Sequence, residues 1–284
     1  VTGVQTCALP IYTALWDFDN MNYHRWVKDE GIILPDPSGV GTLDEIVIDG
    51  KKIMAGIGIH DSSSSLAPYF SSSRGKFLLI STGTWCINMN PFNTEILTAE
   101  QLDHDCLCYM SITRKPVKSS RLFLGNIHET AINRLNEHFK TQPDYYKTVK
   151  PDKKLLELCR ARSSGNRFYF DMHPYSRELK EKLDFFVFKT FDEAYHQLMA
   201  ELTELTCEAV DLVIPADDDI ENLYITGGFS NNHLFRKLIS DSYPMKHVYT
   251  SEIFKATALG AALVILGTIN PDVQPALNLG LTQC

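Results

Sequence analysis

The residues best placed to do chemistry lie between positions 56 and 65, Gly56-Ile57-Gly58-Ile59-His60-Asp61-Ser62-Ser63-Ser64-Ser65. There a glycine-punctuated apolar run ends in a His-Asp pair and a row of hydroxyls. A carboxylate delivered at the end of a buried strand, beside small polar residues that leave room for a ligand, can take a proton from a bound hydroxyl. Asp61 is therefore the first candidate for a general base. His60 orients that carboxylate, contacts the substrate, or turns into the domain wall. Strand neighbours point to opposite faces, so the two side chains diverge unless the strand has already ended. The bland rival is that the serine run is a linker.

Two glycine turns carry a second kind of chemistry. Ser81-Thr82-Gly83-Thr84 separates Phe77–Ile80 from Trp85–Asn90, which reads as two buried strands joined by a hydroxyl-glycine turn. Glycine lets a ligand approach the backbone, and adjacent N–H and hydroxyl groups bind phosphate oxygens; such a turn also serves hairpin geometry alone. Leu223-Tyr224-Ile225-Thr226-Gly227-Gly228-Phe229-Ser230-Asn231-Asn232 precedes a helical pattern over His233–Ser240. A strand, a glycine turn and an Asn-started helix expose free N–H groups that can seat a nucleotide, although Gly-Gly before a helix also occurs without a ligand. Near the N-terminus, Trp16-Asp17-Phe18 and Asn22-Tyr23-His24-Arg25-Trp26 interleave rings with polar tips. Trp16 and His24 there suit the faces and hydroxyls of a sugar, or the packing of one domain on another.

The elements that must position these residues can be read from periodicity. Glu45–Ile48 and Lys52–Ile59 read as strands around an Asp49-Gly50 turn, a favoured hairpin signal. Leu122–Phe139 and Asp192–Val213 have helical spacing and flank a polar stretch over Thr141–Lys154; within the second helix Tyr195 and Met199 read as core. Ala256–Val264 is a small-residue helix that permits close packing against a neighbouring backbone. A chain of 284 residues with 44% hydrophobic content suits two modest domains. The formal charge of -8 argues against a nucleic-acid surface. No apolar stretch approaches the roughly 20 residues that span a bilayer. Seven irregularly spaced cysteines read as reduced thiols of a cytoplasmic protein, and Cys106-x-Cys108 is too short a spacing for zinc. Residues 1–11 lack an initiator Met and any periodicity, and resemble the translation of a sequencing adapter. The expectation is a non-native start, with the true protein continuing upstream of about Tyr12.

Taken together and in order, these pieces resemble the FGGY family of carbohydrate kinases from about Tyr12 to the alanine-rich helix. The resemblance implies that Asp61, in its His-Asp setting, is the catalytic base and that Thr82, Gly83 and Thr84 bind nucleotide phosphates. It further implies that Gly227, Gly228 and Asn231 contact adenosine, and that Ala256–Ala262 is the family's closing helix. The implied fold class is α/β, an actin-like ATPase (ribonuclease H-like) duplication with its second domain nearly complete and its first only a C-terminal remnant. The implied domains are 12–73, a piece of the sugar-binding domain carrying Asp61, and 74–284, the ATP-binding domain. ATP and Mg2+ are the implied cofactors, and the reaction is phosphorylation of a sugar hydroxyl. The His-Asp-Ser-Ser pattern and the Trp16 and His24 segments favour a ketose such as L-fuculose or L-rhamnulose.

Some positions depart from the family pattern. Phe229 stands where a third glycine is common, Lys255 stands where a glutamate is common, and the first-domain Asp-x-Gly-Thr loop has no counterpart. Little activity is expected of this polypeptide alone. The alternatives are a non-catalytic nucleotide-binding or assembly module of the actin-like superfamily, and a metal-dependent phosphohydrolase using His60-Asp61 with His104-Asp105. A homodimer is left open, because an amphipathic face reads the same against its own core or a partner.

Overall fold

The computed structural model describes residues 15–36, 38–73, 75–161, 168, 185–253, 255–272 and 277–284. The proposed non-native segment 1–11 and Tyr12 lie outside them. The main body is a seven-stranded sheet in the order β11-β10-β9-β5-β6-β8-β7. Its strands are β5 (Phe77–Thr82), β6 (Cys86–Asn90), β7 (Leu107–Met110), β8 (Pro116–Leu122), β9 (Asn222–Gly227), β10 (His247–Thr250) and β11 (Thr282–Gln283). The central strands β5, β9 and β10 are parallel; β6, β8, β7 and β11 are added antiparallel at the flanks.

Period-two alternation divides β5 between two cores. Leu78 and Ile80 face a large cluster with helices α4 (Leu124–Phe139), α5 (Lys153–Ala161), α6 (Phe191–Asp211) and α7 (His233–Ser242). Phe77 and Leu79 face a smaller cluster that includes Leu66, Tyr69 and Tyr224. On that side lie α2 (Asp61–Ser72) and α8 (Ala256–Ile269). They meet at Gly260, where a Cβ would stand 1.7 Å from the Ser64 carbonyl oxygen. Residue 68 is proline and offers that carbonyl no N–H, so the helix leaves it available to its neighbour. The Ser64 hydroxyl donates across the same junction to the Thr257 carbonyl at 2.6 Å.

The N-terminal part holds two small antiparallel ribbons, β1 (Trp16–Asp17) with β2 (Asn22–Tyr23), and β3 (Leu43–Ile48) with β4 (Lys51–Gly56). Between them lies the short helix α1 (Arg25–Asp29), and α3 (Ala99–Asp103) completes the set. The turn at Asp49-Gly50 is the one expected, both residues adopting positive φ. Two expectations are corrected. The second strand ends at Gly56 rather than Ile59, and it is largely exposed rather than buried. The polar stretch 141–154 holds a 3-10 turn at Tyr145–Thr148 and the start of α5.

Candidate active site

Because β5 and β9 are parallel, with Thr82 in register with Gly227, their carboxyl ends open onto the same edge of the sheet. In open α/β sheets that edge is where ligands bind. The Thr82 hydroxyl fastens the two turns together. It donates to the Thr226 carbonyl at 2.5 Å and accepts from the Phe229 N–H at 3.0 Å. Gly227 sits at φ 86° with no room for a side chain, since a Cβ would lie 1.7 Å from the Thr82 carbonyl oxygen. Gly228 differs: a Cβ there would meet nothing within 4 Å. The Gly83 turn closes by its own N–H to the Trp85 carbonyl at 2.8 Å, and the Thr84 carbonyl accepts from Gly125 N–H at 3.1 Å.

Two cavities flank this edge. One, about 520 Å³, is lined by Gly83, His128, Tyr146, Phe229 and Asn232. The other, about 760 Å³, is hydroxyl-rich and lined by Ser65, Thr226, Gly227, Arg236, Lys255 and Thr257. Gly228 and Asn231 line both. Of the sequence-chosen nucleotide residues, Gly83, Gly227, Gly228 and Asn231 therefore line cavities, and Thr82 is buried behind them as a clamp. Thr84 is exposed on the turn. Lys255, with φ 60°, opens α8 without any side-chain cap, leaving that helix's first N–H groups toward the larger cavity.

Asp61 is not at the end of a strand. After Gly56 the chain runs four residues without regular structure, and Asp61 is the first residue of α2. His60 caps the helix, its Nδ1 accepting from the Ser62 N–H at 3.1 Å, the Asp61 charge suits the N-terminal turn, and Leu66, Ala67 and Tyr69 bury the inner face. The serine run is thus helical rather than a linker; the Ser63 hydroxyl donates to the Met110 carbonyl at 2.6 Å. The Asp61 side chain is 74% exposed. Its Oδ1 accepts from the Ser62 N–H at 2.7 Å and lies 2.8 Å from His60 Nδ1. With the strand already ended, His60 and Asp61 meet instead of diverging. Burial lowers the His60 pKa, and the Asp61 charge partly opposes this.

Trp16 and His24 make their contacts within their own segment. Trp16 is buried edge-on to Tyr23 at 5.4 Å, and His24 Nδ1 lies 3.5 Å from Asp17 Oδ2. None of these contacts reaches Asp61. The second pair invoked for a phosphohydrolase is engaged elsewhere: Asp105 is bonded to Arg121, and His104 Nδ1 to the Glu100 carbonyl at 2.8 Å. Among the described residues no group of three or more His, Cys, Asp or Glu is placed to hold a metal, and no helix is long and apolar enough to cross a membrane.

Sequence reasoning missed the aromatic walls of the smaller cavity. His128 lies edge-to-face with Tyr146 at 5.0 Å and with Phe229 at 5.1 Å. Burial holds its pKa down at about 4, so the ring is neutral. Single residues on amphipathic helices carry no motif; Phe229, in place of a glycine, was the one available signal.

Residues 74–158 match the family described as carbohydrate kinase FGGY, C-terminal domain. A search of curated proteins finds no match. Several solved structures are similar. A carbohydrate kinase from Novosphingobium aromaticivorans is 20% identical, with TM-score 0.67 over 95% of this chain and 57% of that one. Xylulose kinase from Bifidobacterium adolescentis is 14% identical, with TM-score 0.64 over 94% and 56%. Plasmodium falciparum glycerol kinase with ADP is 14% identical, with TM-score 0.60 over 92% and 53%. The chain spans a little over half the length of these proteins, and it has their actin-like ATPase fold.

Proposed function

We propose that this chain is the nucleotide-binding part, together with the catalytic carboxylate, of an ATP-dependent carbohydrate kinase. Residues 74–284 form the ATP-binding unit, into whose smaller core α2 (Asp61–Ser72) packs, and the residues ahead of Asp61 belong to the sugar side. The observation that carries the reading is the pairing of the Gly83 and Gly227-Gly228 turns, locked by Thr82, at the carboxyl ends of two parallel strands. Match of residues 74–158 to a carbohydrate-kinase domain supports it independently.

In this reading the nucleoside enters the smaller, aromatic cavity against Gly228 and Asn231, with Gly227 next in the chain, and the turn at Gly83-Thr84 holds the phosphates. Phosphoryl transfer needs alignment and charge neutralisation more than covalent help from the protein. Mg2+, were it to accompany the nucleotide, would supply charge neutralisation at the phosphates, and no described cluster of His, Cys, Asp or Glu is assigned to hold it. Asp61 accepts the proton of the attacking sugar hydroxyl; its exposure leaves it reachable, and the Ser62 N–H holds its Oδ1. His24 is assigned to the sugar, a ketose of the fuculose or rhamnulose kind, while Trp16, buried against Tyr23, packs its own segment.

The test has two parts. Calorimetric titration of this chain with ATP should show binding, and a chain without it has no claim to the reading. In the full-length gene product, Asp61→Asn should lower turnover at least about a hundredfold while ATP affinity stays near wild type. Unchanged turnover would remove Asp61 from its role.

A further inference from the structure

The smaller cavity is braced from behind by a chain of hydrogen bonds that runs in one direction. The Phe235 N–H donates to Asn232 Oδ1 at 3.1 Å, which fixes the oxygen end of that amide. Asn232 Nδ2 then donates to the Tyr195 hydroxyl at 2.7 Å, and that hydroxyl lies 3.3 Å from His128 Nε2. Having accepted from Asn232, the Tyr195 O–H is free to donate, and only an unprotonated Nε2 can receive it. His128 and Tyr195 are both buried. Three elements are tied in this way: α7 through its cap Asn232, α6 through Tyr195, and α4 through His128.

The far end of the chain is a wall of the cavity. The His128 ring fills the gap between Tyr146 and Phe229, and Phe229 belongs to the turn between Gly227 and Asn232. We infer that Asn232, Tyr195 and His128 form a positioning strut that sets the spacing between the glycine turn and the Tyr146 wall for the nucleoside moiety. The inference rests on the nucleotide reading above. None of the three is a catalytic residue; Tyr195 in particular acts through the groups it ties together. The phosphates, assigned to the Gly83-Thr84 turn, which none of the three strut hydrogen bonds reaches, are bound independently of it.

Isothermal titration of this chain with ATP and with inorganic tripolyphosphate separates the two functions. Tyr195→Phe keeps the buried ring and deletes the hydroxyl, and should weaken ATP about tenfold, the scale of one or two neutral hydrogen bonds, with tripolyphosphate affinity unchanged. His128→Leu should give the same loss, whereas His128→Gln, which restores an acceptor, should regain most of it. The double variant Tyr195→Phe with His128→Leu should be no worse than either single, because both cut one chain. ATP affinity equal to wild type in Tyr195→Phe and His128→Leu, or equal losses for ATP and tripolyphosphate, would overturn the strut. If Tyr195→Phe does not fold, the comparison of His128→Leu with His128→Gln decides. A wild-type chain that binds no ATP removes the nucleotide reading and the strut together; normal wild-type binding with indifferent variants removes the strut alone.

Discussion

Thr82 shows how much one hydroxyl does at this edge. A valine there keeps the shape but leaves the Thr226 carbonyl and the Phe229 N–H without their partner in a buried place. Unsatisfied buried groups cost more than the hydrogen bonds they lose, so Thr82→Val should destabilise the chain by about 2 kcal/mol in urea titration and weaken ATP binding as the turns separate. His128 adds a pH term of known sign. Its folded pKa of about 4 lies below the ordinary imidazole value of 6.5 because burial disfavours the cation. The unfolded state therefore binds the proton first. The stabilisation is fully present above the unfolded value and is lost as pH falls through the window from 6.5 to about 4. Its full size is about 3 kcal/mol. Urea titrations at neutral pH and near the lower end of the window, compared between wild type and His128→Gln, isolate it from the carboxylates. The acid loss should be smaller in the variant by most of that amount, and equal losses would refute a neutral buried His128.

Elements explain which of these features were legible in the sequence. The strand-turn-strand at 77–90 and the strand-turn-helix at 222–242 are visible because period-two apolar runs stop at glycine turns. The start of α2 was hidden because four consecutive serines have poor interior helix propensity, and only tertiary contacts at Ser63 and Ser64 reveal that they are held as a helix. Tyr195 and Met199 read as core and are buried, but nothing in a helical period says that one core hydroxyl will reach across to Asn232. The small-residue helix at 256–264 reads as a close-packing surface, and Gly260 against Ser64 is that contact. Since the opposing atom is backbone, it cannot swing aside. Gly260→Ala should force α2 and α8 apart at a cost of about 3 kcal/mol, read as a lowered melting temperature. Gly228→Ala is the contrasting control: with open space around its Cβ it should melt like wild type, and any loss it shows should be in nucleotide affinity.

At the scale of the whole molecule, the conspicuous feature is apolar surface outside the sheet. In the β3–β4 ribbon, Ile46, Val47, Ile48, Ile53 and Met54 are all exposed, on both faces of the pleat. The ribbon is fastened mainly at its base, where Gly56 abuts Ile265 of α8 and Gly41 abuts Thr268. Among the described residues the two strands have no further neighbour and so present two open edges, and contiguous exposed apolar side chains on such edges promote association between chains. Stability and solubility are therefore set by different parts of this protein: the first by the sheet and its two cores, the second by the ribbon. Replacing Val47 by Lys and Met54 by Glu places opposite charges on the ribbon without touching either core. The wild-type sedimentation coefficient should rise with protein concentration, and that of the double variant should stay flat with an unchanged melting temperature. A wild-type chain that sediments as a monomer at every concentration would show that the ribbon is too small or too mobile to seed association. A melting temperature that falls in the variant would show instead that the ribbon contributes to the core, contrary to its exposure.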